Sequence, residues 1–291
     1  MKKTDTPDAP KSKTGPLFLV GLGLCDENDL PLRSLEALKG CQSIFAEQYT
    51  NLMREGTLER LEEKINEEGK GARKIVLLAR EEVEGEKKIL DACSLGPVAL
   101  LVPGDPMSAT THNSLAAAAR EKNIQVGIFH ASSIFSAAPG AAGLQAYKMG
   151  KTATITYWRK NYEPVAFLDV ITENLERGAH TLCLLDIDPE LGPMKPSLAL
   201  EIIGKAQEKR KKDTAAERSP RAGSLPVLLP STRLFVLCRV GWPDEKIWAG
   251  ELKDWKTGMD EKLPGPCALI VCAGMHFVEE EAFRRAGRSF I

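Results

Sequence analysis

With 39 basic and 40 acidic side chains among 291 residues, and a formal net charge of -1, the chain has no overall field that would draw it onto nucleic acid or an anionic membrane. A composition of 43% hydrophobic and 27% charged residues is that of an ordinary soluble protein, and the length exceeds one usual domain, so two domains sharing a cleft are expected. Seven cysteines (25, 41, 93, 183, 238, 267 and 272) lie mostly in or beside apolar strand-like runs without a CxxC pair, which favours reduced, packed thiols in a cytosolic protein over metal or disulfide roles.

The opening stretch, MKKTDTPDAPKSKTGP, has lysines but no apolar h-region, and no later run is long and apolar enough to cross a bilayer. Residues 1–15 therefore read as a disordered tail, neither exported nor anchored. The first ordered stretch is LFLVGLGLCDENDLP at 17–31, a strand running into a glycine turn and a string of acids. Gly21 and Gly23 fill the first two places of G-x-G-x-x-G, but Asp26 stands at the third, and Asp26, Glu27, Asn28 and Asp29 occupy the place where a pyrophosphate needs backbone N–H groups. A phosphate would meet repulsion there. The turn suits an uncharged or cationic ligand at the carboxyl end of the first strand, or else it is only a tight strand-to-helix turn with Asp29 as an acidic N-cap.

Strands are predicted at 17–23, 43–48, 74–79, 97–102 and 124–129, with amphipathic helical stretches at 29–40, 52–68, 81–94 and 110–122 between them. The crossover lengths suit parallel pairing. LLVPGDPMSATTHNSLAAAAR at 100–120 ends its strand in Pro-Gly-Asp-Pro, a rigid turn that aims Asp105 across the sheet's carboxyl edge; a β-turn followed by a Ser or Thr N-cap explains it equally well. HASSIFSAAPGAAGLQAYKMG at 130–150 is rich in small residues that could cover a flat ring or simply pack as a helix.

From Lys151 the pattern changes to strands with shorter connections, at 152–158, 180–187, 233–241, 246–252 and 267–274, and helices at 164–177, 197–212 and 276–286. This reads as a second α/β domain with more antiparallel pairing. The boundaries are a domain with a parallel sheet at 16–130 and one with a mixed sheet at 131–291, the polar segment 204–226 being a flexible insertion. Its basic cluster, Lys209 to Lys212, reads as a solvated helix end rather than a contact for RNA or an acidic protein. His112, His130, His180 and His276 show no metal-ligand spacing, and no GxSxG elbow, P-loop or kinase signature is present.

Taken together and in order, LFLVGLGLCDENDL, EQYTNLM, AREEVE, VPGDPMSATTH, HASSI, GLQAYKMG, YWRKNYEPVAFLDVITENLERGAHTLCLLDI, CRVG, KIWAGEL and GMHFVE resemble the diphthine synthase family of tetrapyrrole-methylase-like (class III) methyltransferases, over about residues 16–286. The resemblance implies two α/β domains with the cofactor cleft between them. It implies a cytoplasmic, homodimeric enzyme that uses S-adenosyl-L-methionine, releases S-adenosyl-L-homocysteine, and repeatedly methylates the aminocarboxypropyl-modified histidine of translation elongation factor 2 in diphthamide biosynthesis. The tail and inserted loop look like eukaryotic additions, pointing to four transfers and diphthine methyl ester. The alternatives are a trimethylating diphthine synthase, or a related methylase acting on a precorrin or ribosomal RNA.

The family's cofactor contacts carry over to Leu24 beside the opening glycines, Asp105 and Ser108 of the Pro-Gly-Asp-Pro region, Ser133 and Ile134 of HASSI, Leu184 of HTLCLLDI and Val240 of CRVG. Ser108 stands where the family often has glycine, which narrows that wall. Cys267 stands where the family pattern has histidine, leaving at most a backbone contact. The stretch after Asp186 is shorter than the family's. In-line methyl transfer draws on alignment rather than on a nucleophilic residue or metal, so the resemblance implies no particular catalytic side chain. Gly21 and Gly23 then shape the turn that brings Leu24 against the cofactor, while the acids cap the following helix.

Overall fold

The computed structural model describes residues 14–47, 49, 51–66, 73–217, 228–256, 258–261 and 263–286. Of the tail expected at 1–15, residues 1–13 lie outside that set, whereas the Gly15 N–H already donates to the Cys93 carbonyl at 2.8 Å. The chain forms two compact units that divide between Ser132 and Ser133.

The first unit runs β1 (Leu17–Gly21), α1 (Leu32–Lys39), β2 (Ser43–Glu47), α2 (Thr57–Asn66), β3 (Ile75–Leu78), α3 (Arg80–Glu84), α4 (Lys87–Ala92), β4 (Val98–Val102), α5 (His112–Glu121) and β5 (Val126–Phe129). The stretch expected as one helix at 81–94 is two, because Gly85 ends α3 and Glu86 sits at φ 58°. All five strands pair in parallel, in the order β3-β2-β4-β1-β5.

A parallel sheet must bury both faces, and the run VALLV of β4 does so with every residue at 0% exposure. One face packs Val20, Ile44, Ala99 and Leu101 against Leu38 of α1 and Leu61 and Ile65 of α2. The other packs Leu17, Leu19, Leu100 and Val102 against Ile89 and Leu90 of α4 and Leu115 and Ala119 of α5. The crossover leaving β1 leads to β2 on one side, and that leaving β4 leads to β5 on the other. The adjacent carboxyl ends of β1 and β4 are thus the topological switch point, where the following loops diverge and leave a crevice.

The second unit runs α6 (Ile134–Ala142), β6 (Ala153–Ile155), α7 (Ala166–Glu176), β7 (Thr181–Leu185), β8 (Ile187–Asp188), β9 (Gly192–Pro193), α8 (Pro196–Glu217), β10 (Arg233–Cys238), β11 (Lys246–Glu251), β12 (Cys267–Val271) and α9 (Phe277–Ala286). Its main sheet has the order β11-β10-β12-β7-β6, parallel only between β6 and β7. The period-2 alternation splits the strands cleanly. Cys183, Val236, Cys238 and Leu269 face Leu168 and Ile171 of α7 and Ile202 and Ile203 of α8, whereas Leu182, Phe235, Leu237 and Ile270 face Ala138 of α6 and Phe283 of α9.

Two sequence expectations change here. The strand predicted at 152–158 stops at Ile155, and Tyr157 and Trp158 leave the sheet. Helix α8 continues to Glu217, so the segment expected as a flexible insertion at 204–226 is helical over its first part, while residues 218–227 lie outside the described set.

Candidate functional site

The switch point of the first sheet is built from two turns that clasp each other. Leu22 N–H donates to the Val102 carbonyl at 2.8 Å, and Gly23 and Gly104 exchange hydrogen bonds of 3.2 and 2.7 Å as an antiparallel bridge. Both glycines sit at positive φ, 80° and 73°, which a side chain would strain. A Cβ on Gly23 would strike Asp29, but one on Gly104 would meet nothing within 4 Å. The β4 turn therefore presents bare backbone to open space.

The acids after β1 have partners of their own. Asp29 Oδ2 accepts the N–H groups of Leu24 and Cys25 at 2.9 and 2.7 Å, so two donors that a phosphate would require are already used. Asp26 takes the Asn28 N–H and side-chain amide and faces Arg54, and Glu27 takes Arg60 Nε at 2.9 Å. The expectation that the acids cap the next helix is corrected: Pro31 occupies the N-cap of α1, no acid lies in its first turn, and Asp29 caps the glycine turn instead. Asparagine and aspartate side chains commonly close such local rings.

Asp105 does point across the sheet edge, and both oxygens are engaged. Oδ1 accepts from Met107 N–H at 2.9 Å and Ser108 Oγ at 3.4 Å; Oδ2 accepts from His130 Nδ1 at 2.7 Å and Ala131 N–H at 3.2 Å. This fills about the four acceptor positions of a carboxylate. The side chain ties the β4 turn to the exit of β5, and a polar ligand contact through it must share one of these positions.

Beneath the turn, His112 at the start of α5 places Nδ1 3.0 Å from the Pro106 carbonyl and Nε2 3.1 Å from Glu47 Oε2, with both side chains buried. Both ring nitrogens face acceptors, so both carry protons and the ring is a cation. Burial works against that charge, but the Glu47 carboxylate and the Pro106 carbonyl outweigh it and raise the pKa above its ordinary value. The sequence reading missed this pair because Glu47 and His112 lie far apart in the chain and share no motif.

In the second unit, Ser133 is the N-cap of α6, its Oγ accepting from Phe135 N–H at 3.4 Å, and Ile134 follows it. Ile134, Leu184 and Val240 belong to one apolar cluster on the α6 side of the sheet, together with Ala268 and Ile270. Cys267 does not join them. Its side chain alternates to the opposite face, with Sγ 3.0 Å from Cys238 Sγ, and lines a cavity of about 590 Å³ bordered by Tyr157, Trp158, Leu191, Met194 and Leu263. Hydrogen bonding to Cys267, together with burial, pushes the Cys238 thiol up. Any contact of Cys267 on the Leu184 face is made by its backbone.

A further buried group explains GMHFVE. Glu279 accepts from the Gln145 and His276 N–H groups at 3.0 and 2.8 Å and from Lys148 Nζ at 2.8 Å, and it lies 3.3 Å from His180 Nε2. Although burial opposes ionisation, these donors hold its carboxyl at about 2. Among the described residues no group of three or more His, Cys, Asp or Glu side chains could hold a metal ion, and no helix is long and apolar enough to cross a membrane.

Residues 16–256 match the family model of tetrapyrrole (corrin/porphyrin) methylases. The chain is 38% identical to the diphthine synthase of Methanococcus maripaludis over 270 residues, covering 92% of this chain and 97% of that one. It is 36% identical to the diphthine synthase of Methanothermobacter thermautotrophicus, covering 91% and 93%. A crystal structure of a diphthine synthase superposes with a TM-score of 0.73 at 28% identity, covering 94% of this chain and 96% of that one.

Proposed function

The chain belongs to the tetrapyrrole methylases and, within them, to the diphthine synthases, and from that membership we infer an S-adenosylmethionine-dependent methyltransferase of diphthamide biosynthesis. Its substrate is the aminocarboxypropyl-modified histidine of translation elongation factor 2, whose amino group it methylates repeatedly. It works as a cytoplasmic homodimer. A fourth transfer, to the carboxylate, gives diphthine methyl ester; the alternative is an enzyme that ends at three methyl groups.

The observation that carries the reading is the bare Gly104 backbone, open at the switch point, beside a β1 turn whose N–H groups are already taken by Asp29. Two of the N–H donors that a phosphate would use in that turn, those of Leu24 and Cys25, are taken, whereas a cationic sulfur needs no donor. Bound S-adenosylmethionine would supply a methyl group on a sulfonium, an already good leaving group. The residues we propose for contact with it are Leu24, Asp105, Ser108, Ser133, Ile134, Leu184, Val240 and the main chain at Cys267. The task of these residues is alignment, which can supply several kcal/mol of a barrier, roughly 7–11 in favourable cases.

The test is transfer of labelled methyl groups. Elongation factor 2 carrying the aminocarboxypropyl histidine is expected to be labelled and the unmodified factor not, with product mass giving the count of methyls. Equal labelling of both forms, or labelling of ribosomal RNA or a precorrin instead, would overturn the substrate assignment.

A further inference from the structure

His130 follows β5 directly on the carboxyl edge of the first sheet, and its side chain is 69% exposed. Its Nδ1 lies 2.7 Å from Oδ2 of Asp105, a residue only 8% exposed whose oxygens also accept the Met107 and Ala131 N–H groups. Three other donors, the Met107 and Ala131 N–H groups and the Ser108 hydroxyl, converge on that carboxylate and make it an acceptor toward His130, so the proton of a neutral ring sits on Nδ1 and Nε2 keeps its lone pair. Among the hydrogen bonds and ion pairs of the described residues, Asp105 is the only charged group on the ring. The same carboxylate holds the turn whose Gly104 faces open space. A buried carboxylate thus orients an exposed imidazole at the place where the ligand is expected, the arrangement by which a histidine serves as a general base.

We propose that His130 is the general base of the reaction, taking the proton from the substrate's ammonium through Nε2 before each transfer to nitrogen. The proposal rests on the functional reading above. An ammonium has no lone pair with which to attack. Once Nε2 accepts its proton, the amine lone pair forms the N–C bond as the C–S bond breaks, and that bond's electrons remain on sulfur as a neutral thioether. The imidazolium then gives its proton to water. Each methylated product still bearing an N–H must lose a proton again before the next transfer, so a reusable base on the sheet edge meets a need that recurs within one substrate. Asp105 is a positioning residue in this scheme, fixing the tautomer and the ring.

His130→Asn tests it, because the asparagine amide keeps an N–H donor toward Asp105 while removing Nε2. Near neutral pH, single-turnover transfer to the modified factor is expected to slow by about 10²–10⁴-fold. Melting temperature and S-adenosylmethionine affinity by calorimetry should stay at parent values. The deficit should shrink as the pH is raised, roughly tenfold per unit, until the amine is neutral in solution. Nitrogen-15 spectra of the parent should show the His130 ring protonated at Nδ1, and Asp105→Asn should lose that preference.

A variant as fast as the parent would overturn the proposal, as would a deficit constant across pH, reduced cofactor affinity accounting for the whole loss, or a parent ring protonated at Nε2. A parent that transfers no methyl group at all would instead overturn the functional reading, and this proposal with it.

Discussion

Each unit buries a histidine against a glutamate, and the two pairs are in opposite charge states. His112 meets Glu47 on one nitrogen and the Pro106 carbonyl on the other, so both nitrogens donate and the ring is held charged. His180 meets Glu279 through Nε2, but its Nδ1 accepts the Ala273 N–H at 3.0 Å, so the ring is neutral. Burial lowers the His180 pKa below its ordinary value despite the nearby carboxylate. The carboxylates differ for the same reason. Glu279 already has Lys148 as its cation and two backbone donors besides, and does not need a charged histidine. The charge state of a buried histidine is thus set by its second nitrogen and by what else satisfies its partner, not by the partner alone.

The largest expected effect is at Glu279. Glu279→Ala strands Lys148 and two N–H groups and should lower unfolding stability by about 3–5 kcal/mol. A loss below about 1 kcal/mol in urea titration would break the claim that Lys148 and the two N–H groups depend on this buried carboxylate. Glu47→Gln comes next, at about 1–3 kcal/mol, because the amide keeps one hydrogen bond but removes the counter-charge. His112 should then titrate lower than in the parent; an unchanged imidazole titration by NMR would show that Glu47 is not what holds the charge.

The smallest effect is the pH dependence, and its signs are opposed. For His112, whose folded value is raised above 6.5, the contribution is whole below 6.5 and fades as the pH climbs through the raised value. For His180, whose folded value is lowered, the contribution is whole above 6.5 and is lost as the pH falls through the lowered value. Glu279 adds stability above 4.5 that is lost as the pH falls towards about 2. Denaturation midpoints of the parent and of His112→Gln, followed across this range, should converge on the alkaline side. Curves that stay parallel there would refute the cationic ring.

Much of the fold was legible because strands and helices announce themselves by period. VALLV reads as a fully buried parallel strand, and RLFVLC with CALIV as alternating antiparallel ones. The small-residue run at 130–150 stayed ambiguous, since alanine and glycine suit both a ligand wall and a helix; the N-cap at Ser133 and the packing of Ala138 and Ala142 make it helical. Among the site residues, the turn glycines and Asp105 stood out by chain geometry alone. The alternation of β12 was equally available, yet which face carried Cys267 depended on whether that strand's packing against α6 or α8 took the odd positions.

The sequence by itself determined the element types, a parallel unit followed by a mixed one, and the family, because periodicity and ordered motifs are properties of neighbours along the chain. Tertiary structure alone decided where the polar side chains found partners. Asp29 caps its own glycine turn, Asp105 reaches His130, Glu47 reaches His112 and Glu279 reaches His180. Sequence separations of 5, 25, 65 and 99 residues are brought to hydrogen-bonding distance by strand order, and no local pattern records which buried donor will face which acceptor.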